Sequence, residues 1–267
     1  MKHRAAILSF AAAALAAGTL VAADAPKFDA LSDWNKNSKL TLSPDGVFTV
    51  TGQRVEVVSR PFAIDPAKTY KFSMEVRRTP GSGEGTCYVG NWSISEKNVR
   101  MLPQHVMAAP GTDSTLAVDA QKGAKEIVIK RPAKWRDDFK KVYWSVVFDA
   151  KADLSDLPNL SGNTITAAEA DGENLKLTLQ KPLTADYPAG TAVRCHSSGG
   201  GMYGGMMAKV PAEEWTPLAW TVSGIAPSGN PMGKWWRGTV KGAIRIIVGY
   251  TKQSELEFRN VKLEIAD

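Results

Sequence analysis

The chain has 267 residues, a formal charge of +6, two cysteines and three histidines. It contains no Lys/Arg run dense enough for a nucleic-acid surface and no Cys-x-x-Cys pair for zinc or redox chemistry. Beyond the N-terminus, no stretch is long and apolar enough to form a transmembrane segment. The positive balance suits a solubilising surface or an anionic glycan partner.

The N-terminus reads MKHRAAILSFAAAALAAGTLVAADAP, with Lys2, His3 and Arg4 ahead of an Ala/Leu-rich stretch and small residues near Ala23 and Ala25. This is the layout of a secretory signal peptide over residues 1–23. It predicts an exported protein, secreted, periplasmic or at the cell surface. Loss of Lys2 and Arg4 lowers the formal charge from +6 to +4. What remains, about 240 residues, allows one large β domain or two small ones. In an exported chain Cys87 and Cys195 form one disulfide or stay as two separate buried thiols; the disulfide is the favoured expectation.

From here on, apolar residues alternate at period two. GVFTVTG carries Val47, Phe48 and Val50, and RVEVVS carries Val55 and Val57. YKFSMEVRR sets Tyr70, Phe72, Met74 and Val76 on one face. TCYVGNWSI, KEIVIK, VYWSVVFD, LKLTLQ, AWTVSGI, AIRIIVGY and LEFRNVKLEI follow. SPDG, DPAK, TPGSGEG, ADGEN and APSGNPMG separate them as turns. The pattern predicts an all-β fold, a sandwich or barrel. Residues 118–198, which begin with clustered positive charge, read as a small β subdomain inserted between a first part, 24–117, and a second part, 199–267.

The two flanks carry a further pattern. Ser59, Pro61, Phe62, Pro66, Lys68 and Tyr70 stand in VEVVSRPFAIDPAKTYKFSMEVRR, and Trp215, Arg245, Asn260, Val261 and Leu263 stand in the last strands. Over roughly residues 45–100 and 210–265 this resembles the galactose-binding-like jelly-roll carbohydrate-binding modules attached to bacterial xylanases and cellulases. The resemblance implies an antiparallel jelly-roll β-sandwich that binds glycans without hydrolysing them, with Trp215 in the framework core. Residues 118–198 have no counterpart in that family. Asn260 stands where the family often has an Asp near a structural calcium; it keeps an oxygen but lacks the charge, so calcium is left open and no other cofactor is expected.

Catalytic signatures are sparse. His105 and His196 are the histidines left after the leader, and neither lies in a metal-binding repeat or beside a Gly-x-Ser-x-Gly elbow. No spacing selects a carboxylate pair for glycoside hydrolysis. Tyr203, His196 and Arg194 form the alternative, a lyase-like arrangement acting on acidic glycans; a structural or cell-surface assembly protein is the third reading. Sugar recognition needs an apolar aromatic face and in-plane hydrogen-bonding groups. Trp235, Trp236 and Arg237, with Trp92, Asn91 and Tyr203, are the expected binding residues, and Arg100 and Arg194 a positive rim favouring acidic glycans. Because neighbours on a strand point to opposite sides, at least one of Trp235 and Trp236 is expected to face solvent. Trp144 and Trp220 are expected in the core, and Trp135, surrounded by charge, is expected to be partly exposed.

Overall fold

The computed structural model describes residues 25–135, 144–197, 204–229 and 233–267, so the proposed leader, 1–23, lies outside the described residues. The strands are β1 (Leu40–Leu42), β2 (Phe48–Gly52), β3 (Val55–Val58), β4 (Phe62–Ala63), β5 (Thr69–Arg78), β6 (Cys87–Ser95), β7 (Ser114–Thr115) and β8 (Glu126–Lys130). They continue with β9 (Trp144–Phe148), β10 (Asn163–Asp171), β11 (Asn174–Leu179), β12 (Ala192–Ser197), β13 (Gly204–Lys209), β14 (Thr216–Ser223), β15 (Thr239–Val248) and β16 (Ser254–Ala266). A 3-10 turn (Leu31–Asp33) precedes β1, and a short helix, α1 (Pro103–Val106), follows β6.

Two antiparallel sheets, β1-β2-β16-β5-β14 and β13-β6-β15-β3, form a jelly-roll β-sandwich from both ends of the chain. Alternation in β5 buries Tyr70, Phe72, Met74 and Val76, as their spacing predicts. They meet Phe48, Ile244, Ile246 and Phe258 in one core. In β16 the inward set switches from Leu256 and Phe258 to Leu263 across a bulge, where the register against β5 shifts between Arg259 and Lys262. Asn260 sits in that bulge with φ 53°, a left-handed conformation that Asn tolerates, and its amide donates to Glu75 Oε2 at 2.7 Å.

The inserted strands come from residues 114–197 and form a sheet in the order β7-β12-β9-β10-β11-β8. It closes on itself: Leu116 bridges Ile129, and the Ala117 N–H donates to the Val128 carbonyl at 2.8 Å. Closure removes the exposed edges that a six-stranded open sheet would present. Leu116, Ile129, Phe148, Leu177 and Val193 fill this small barrel with a core of its own.

The two cores explain the cysteines. Cys87 lies in the sandwich and Cys195 in the barrel, and both are free thiols. The expected disulfide is therefore corrected to two separate buried thiols. Burial raises both, Cys195 to about 12, so neither is a thiolate at neutral pH.

Candidate functional site

The expected site does not assemble as a surface. Trp235 is fully buried, edge-on to Tyr70 at 5.5 Å and to Phe62 at 6.4 Å. It lies against Gly242, where a Cβ would come within 2.6 Å of the indole, so the glycine makes room for the ring. Trp236 does point to a different side, but that side is also covered: Met101, Val106 and Met107, on and around α1, enclose it. The expectation of a solvent-facing indole is corrected for this reason. Alternation separates the two rings, and apolar partners wait on both sides.

Asn91 shares the inward side of β6 with Cys87 and Val89 and is nearly buried, while Arg237 is half-buried. Tyr203 lies outside the described residues. Trp215 is another correction: it is half-buried on the outer face of the five-stranded sheet, with Arg77 and Arg259 over its ring at 4.6 and 4.1 Å. Trp144 and Trp220 are buried as expected, and Trp135 is partly exposed.

Arg194 and His196 do not line a rim or a cleft. Both are buried in β12, inside a closed network. Arg194 donates to Asp156 Oδ2 at 2.8 Å, to the Lys151 carbonyl at 3.0 Å and to His196 Nε2 at 3.1 Å. His196 Nδ1 donates to the Gln104 carbonyl at 2.7 Å, so the ring is the neutral Nδ1–H tautomer and Nε2 is the acceptor. The lyase-like arrangement thus has two of its three groups in the interior.

Burial, aided by Arg194, pushes His196 down to about 4, against the pull of the Gln104 carbonyl and Asp156. The unfolded chain takes up this proton near pH 6.5, the folded one only near pH 4, so stability falls as pH drops through that window. The expected loss is about 3 kcal/mol, reached near pH 4. Asp156 loses its contribution lower still: burial raises it, but hydrogen bonds from Asn159 and the Lys151 N–H, with the Arg194 charge, hold it below the usual carboxylate range. Urea unfolding from pH 7 to 4 should show the slope in the native protein and a flatter one in His196→Gln; equal slopes would show that other groups carry the effect.

What the fold does bring together lies on the outer face of the four-stranded sheet. Along β6, Tyr88, Gly90 and Trp92 alternate outward, opposite Ile247, Arg245 and Ala243 of β15. Tyr88 and Trp92 stand about 13 Å apart along the strand. Gly90 between them carries no side chain, and the Arg245 guanidinium lies 4.7 Å from the Trp92 ring centre. Arg100 covers the same ring at 3.8 Å. Glu56 of β3 pairs with Arg245 and, at 3.7 Å, with Arg100. At the other end Tyr250 meets Tyr88 edge-on at 5.1 Å, with Arg54 over its own ring at 5.1 Å. The row Tyr250–Tyr88–Trp92 is therefore interleaved with three guanidiniums and one carboxylate. Sequence reasoning selected Trp92 and Arg100 here but missed Tyr88, Tyr250, Arg245, Glu56 and Arg54. The alternation of TCYVGNWSI already places Tyr88 beside Trp92; the partners from β3, β15 and the loops come from distant parts of the chain.

No protein-family model and no curated protein matches the sequence. Among solved structures, the chain is similar to a protein described as a glycosyl hydrolase from Parabacteroides distasonis, at 11% identity and a TM-score of 0.27 over 87% of this chain and 93% of that one. It is also similar to an endo-1,3-beta-glucanase from Streptomyces sioyaensis, at 9% identity and a TM-score of 0.18 over 83% of this chain and 79% of that one. Likenesses at these scores carry no argument about the site. No helix among the described residues is long and apolar enough to cross a membrane.

Proposed function

We propose that the protein binds a polysaccharide or glycan without cleaving it, using the outer face of the β13-β6-β15-β3 sheet. The observation that carries this reading is the aromatic row Tyr250–Tyr88–Trp92 interleaved with Arg54, Arg245 and Arg100. Aromatic rings offer the apolar surface that a pyranose ring covers, and the exposed Arg54 and half-buried Arg100 offer rigid planar donors for hydroxyl or carboxylate oxygens, whereas Arg245 is buried and paired with Glu56. Acidic glycans suit the arginines best, and the leader-like composition of residues 1–23 supports a site of action outside the cytoplasm.

A glycan array probed with the purified protein is the direct test. Trp92 belongs to neither core, so Trp92→Ala should fold and weaken the captured glycan by about tenfold, as calorimetry reads it. Trp236→Ala should leave that affinity unchanged. A blank array would remove the reading and favour a protein partner in a surface assembly.

A further inference from the structure

The barrel carries a pocket that plays no part in the sheet face. It has a volume of about 510 Å³ and opens between the loop after α1 and the ends of β9 and β12. Volumes in this range hold small ligands of one or a few rings. Trp144, at the start of β9, and Trp135 form part of its wall, with ring centres 5.5 Å apart and planes at 88°. Met107, Ala108 and Pro110 supply the remaining apolar side.

Hydrogen bonds tie the wall together. The Ser197 N–H donates to the Met107 carbonyl and the Ala109 N–H to the Cys195 carbonyl, both at 2.9 Å. The Thr112 hydroxyl accepts the Cys195 N–H at 3.1 Å and donates to the Ala109 carbonyl at 2.7 Å. Loop 107–112 is thereby stitched along β12.

Lys134 carries the one charge among the described residues that line the pocket. Its N–H donates to the Gly111 carbonyl at 3.0 Å, and its stem lies across Gly111. Gly111 has φ +78°, and a Cβ there would come within 2.7 Å of Lys134 Cδ. The lysine is held at the pocket by its backbone and its stem, and the residue is exposed.

We propose that this pocket is a second ligand site, one that takes a uronic-acid residue of a short acidic oligosaccharide. The tryptophan wall meets the apolar face of the sugar ring, and Lys134 meets its carboxylate. None of its residues belongs to the sheet face, so the two sites are separable by mutation.

Calorimetric titration with trigalacturonate and trimannuronate, and with neutral cellotriose as the comparison, tests the proposal in the Trp92→Ala protein. At least one uronate trimer is expected to bind, to weaken as salt is raised and to exceed cellotriose. Trp135→Ala should weaken it about tenfold and Lys134→Met several-fold, whereas Trp135→Phe keeps a ring and most of the affinity. Trp135→Phe and Lys134→Met keep the test decisive if Trp135→Ala fails to fold. Failure of both uronate trimers to bind overturns the proposal, as does binding indifferent to Lys134→Met. Cellotriose bound equally well overturns the acidic specificity. None of these results touches the sheet-face reading, which Trp92→Ala tests in the otherwise native protein.

Discussion

Replacing Arg194 with methionine is expected to lower the free energy of unfolding by about 3–5 kcal/mol, because it strands a buried carboxylate. The Arg194 side chain is 1% exposed and that of Asp156 6%, at 2.8 Å separation. Without the guanidinium, Asp156 keeps the neutral donors of the Asn159 amide and the Lys151 N–H but loses its cation, and the Lys151 carbonyl and His196 Nε2 each lose a donor. The Arg194 charge is one of the forces that hold Asp156 below its ordinary range, so its removal should also move Asp156 upward. Urea unfolding followed by circular dichroism measures the loss. Adding Asp156→Asn should recover part of it, since a neutral amide costs less to bury than an unpaired charge. A loss under about 1 kcal/mol would place the network outside the stability of the barrel.

Trp235→Ala is expected to cost a similar amount, about 3–5 kcal/mol, by a different mechanism. The indole is fully buried against Phe62, Tyr70 and Phe72, and it fills the space that Gly242 leaves. Its removal opens a cavity in the middle of the sandwich, where the surrounding strands have little freedom to collapse. Trp236→Ala should cost less, because its cluster is small and formed around a four-residue helix that can shift. Thermal and urea unfolding of the two variants side by side test the ranking. Equal effects, or a Trp235→Ala loss no larger than a surface substitution, would contradict the packing described for this pair.

These experiments separate two properties that tryptophan confers on this chain. Trp235 and Trp236 hold the architecture, while Trp92 and Trp135 are only partly buried. Loss of stability without loss of affinity is the signature of the first pair, and loss of affinity without loss of stability that of the second.

Much of the fold is legible in the residues. The alternation of YKFSMEVRR names the buried side of β5, and Gly/Pro/Asn/Asp turns divide the chain into strands, because a two-residue side-chain period is a local property of the backbone. Alternation, however, says only that neighbouring side chains point to opposite sides; whether a side is wet depends on what packs there. That is why Trp236, opposite a fully buried Trp235, is covered by Val106 of α1, and why Trp215 lies between arginines instead of in a core. A single bulge at Asn260 reverses the inward parity of β16. The sequence leaves Cys87 and Cys195 free to pair, and tertiary structure assigns them to different cores. Local side-chain periodicity is enough to set the all-β character of this protein. Only the tertiary structure decided its surfaces, because the row Tyr250–Tyr88–Trp92 and its arginines comes from strands and loops far apart in the chain.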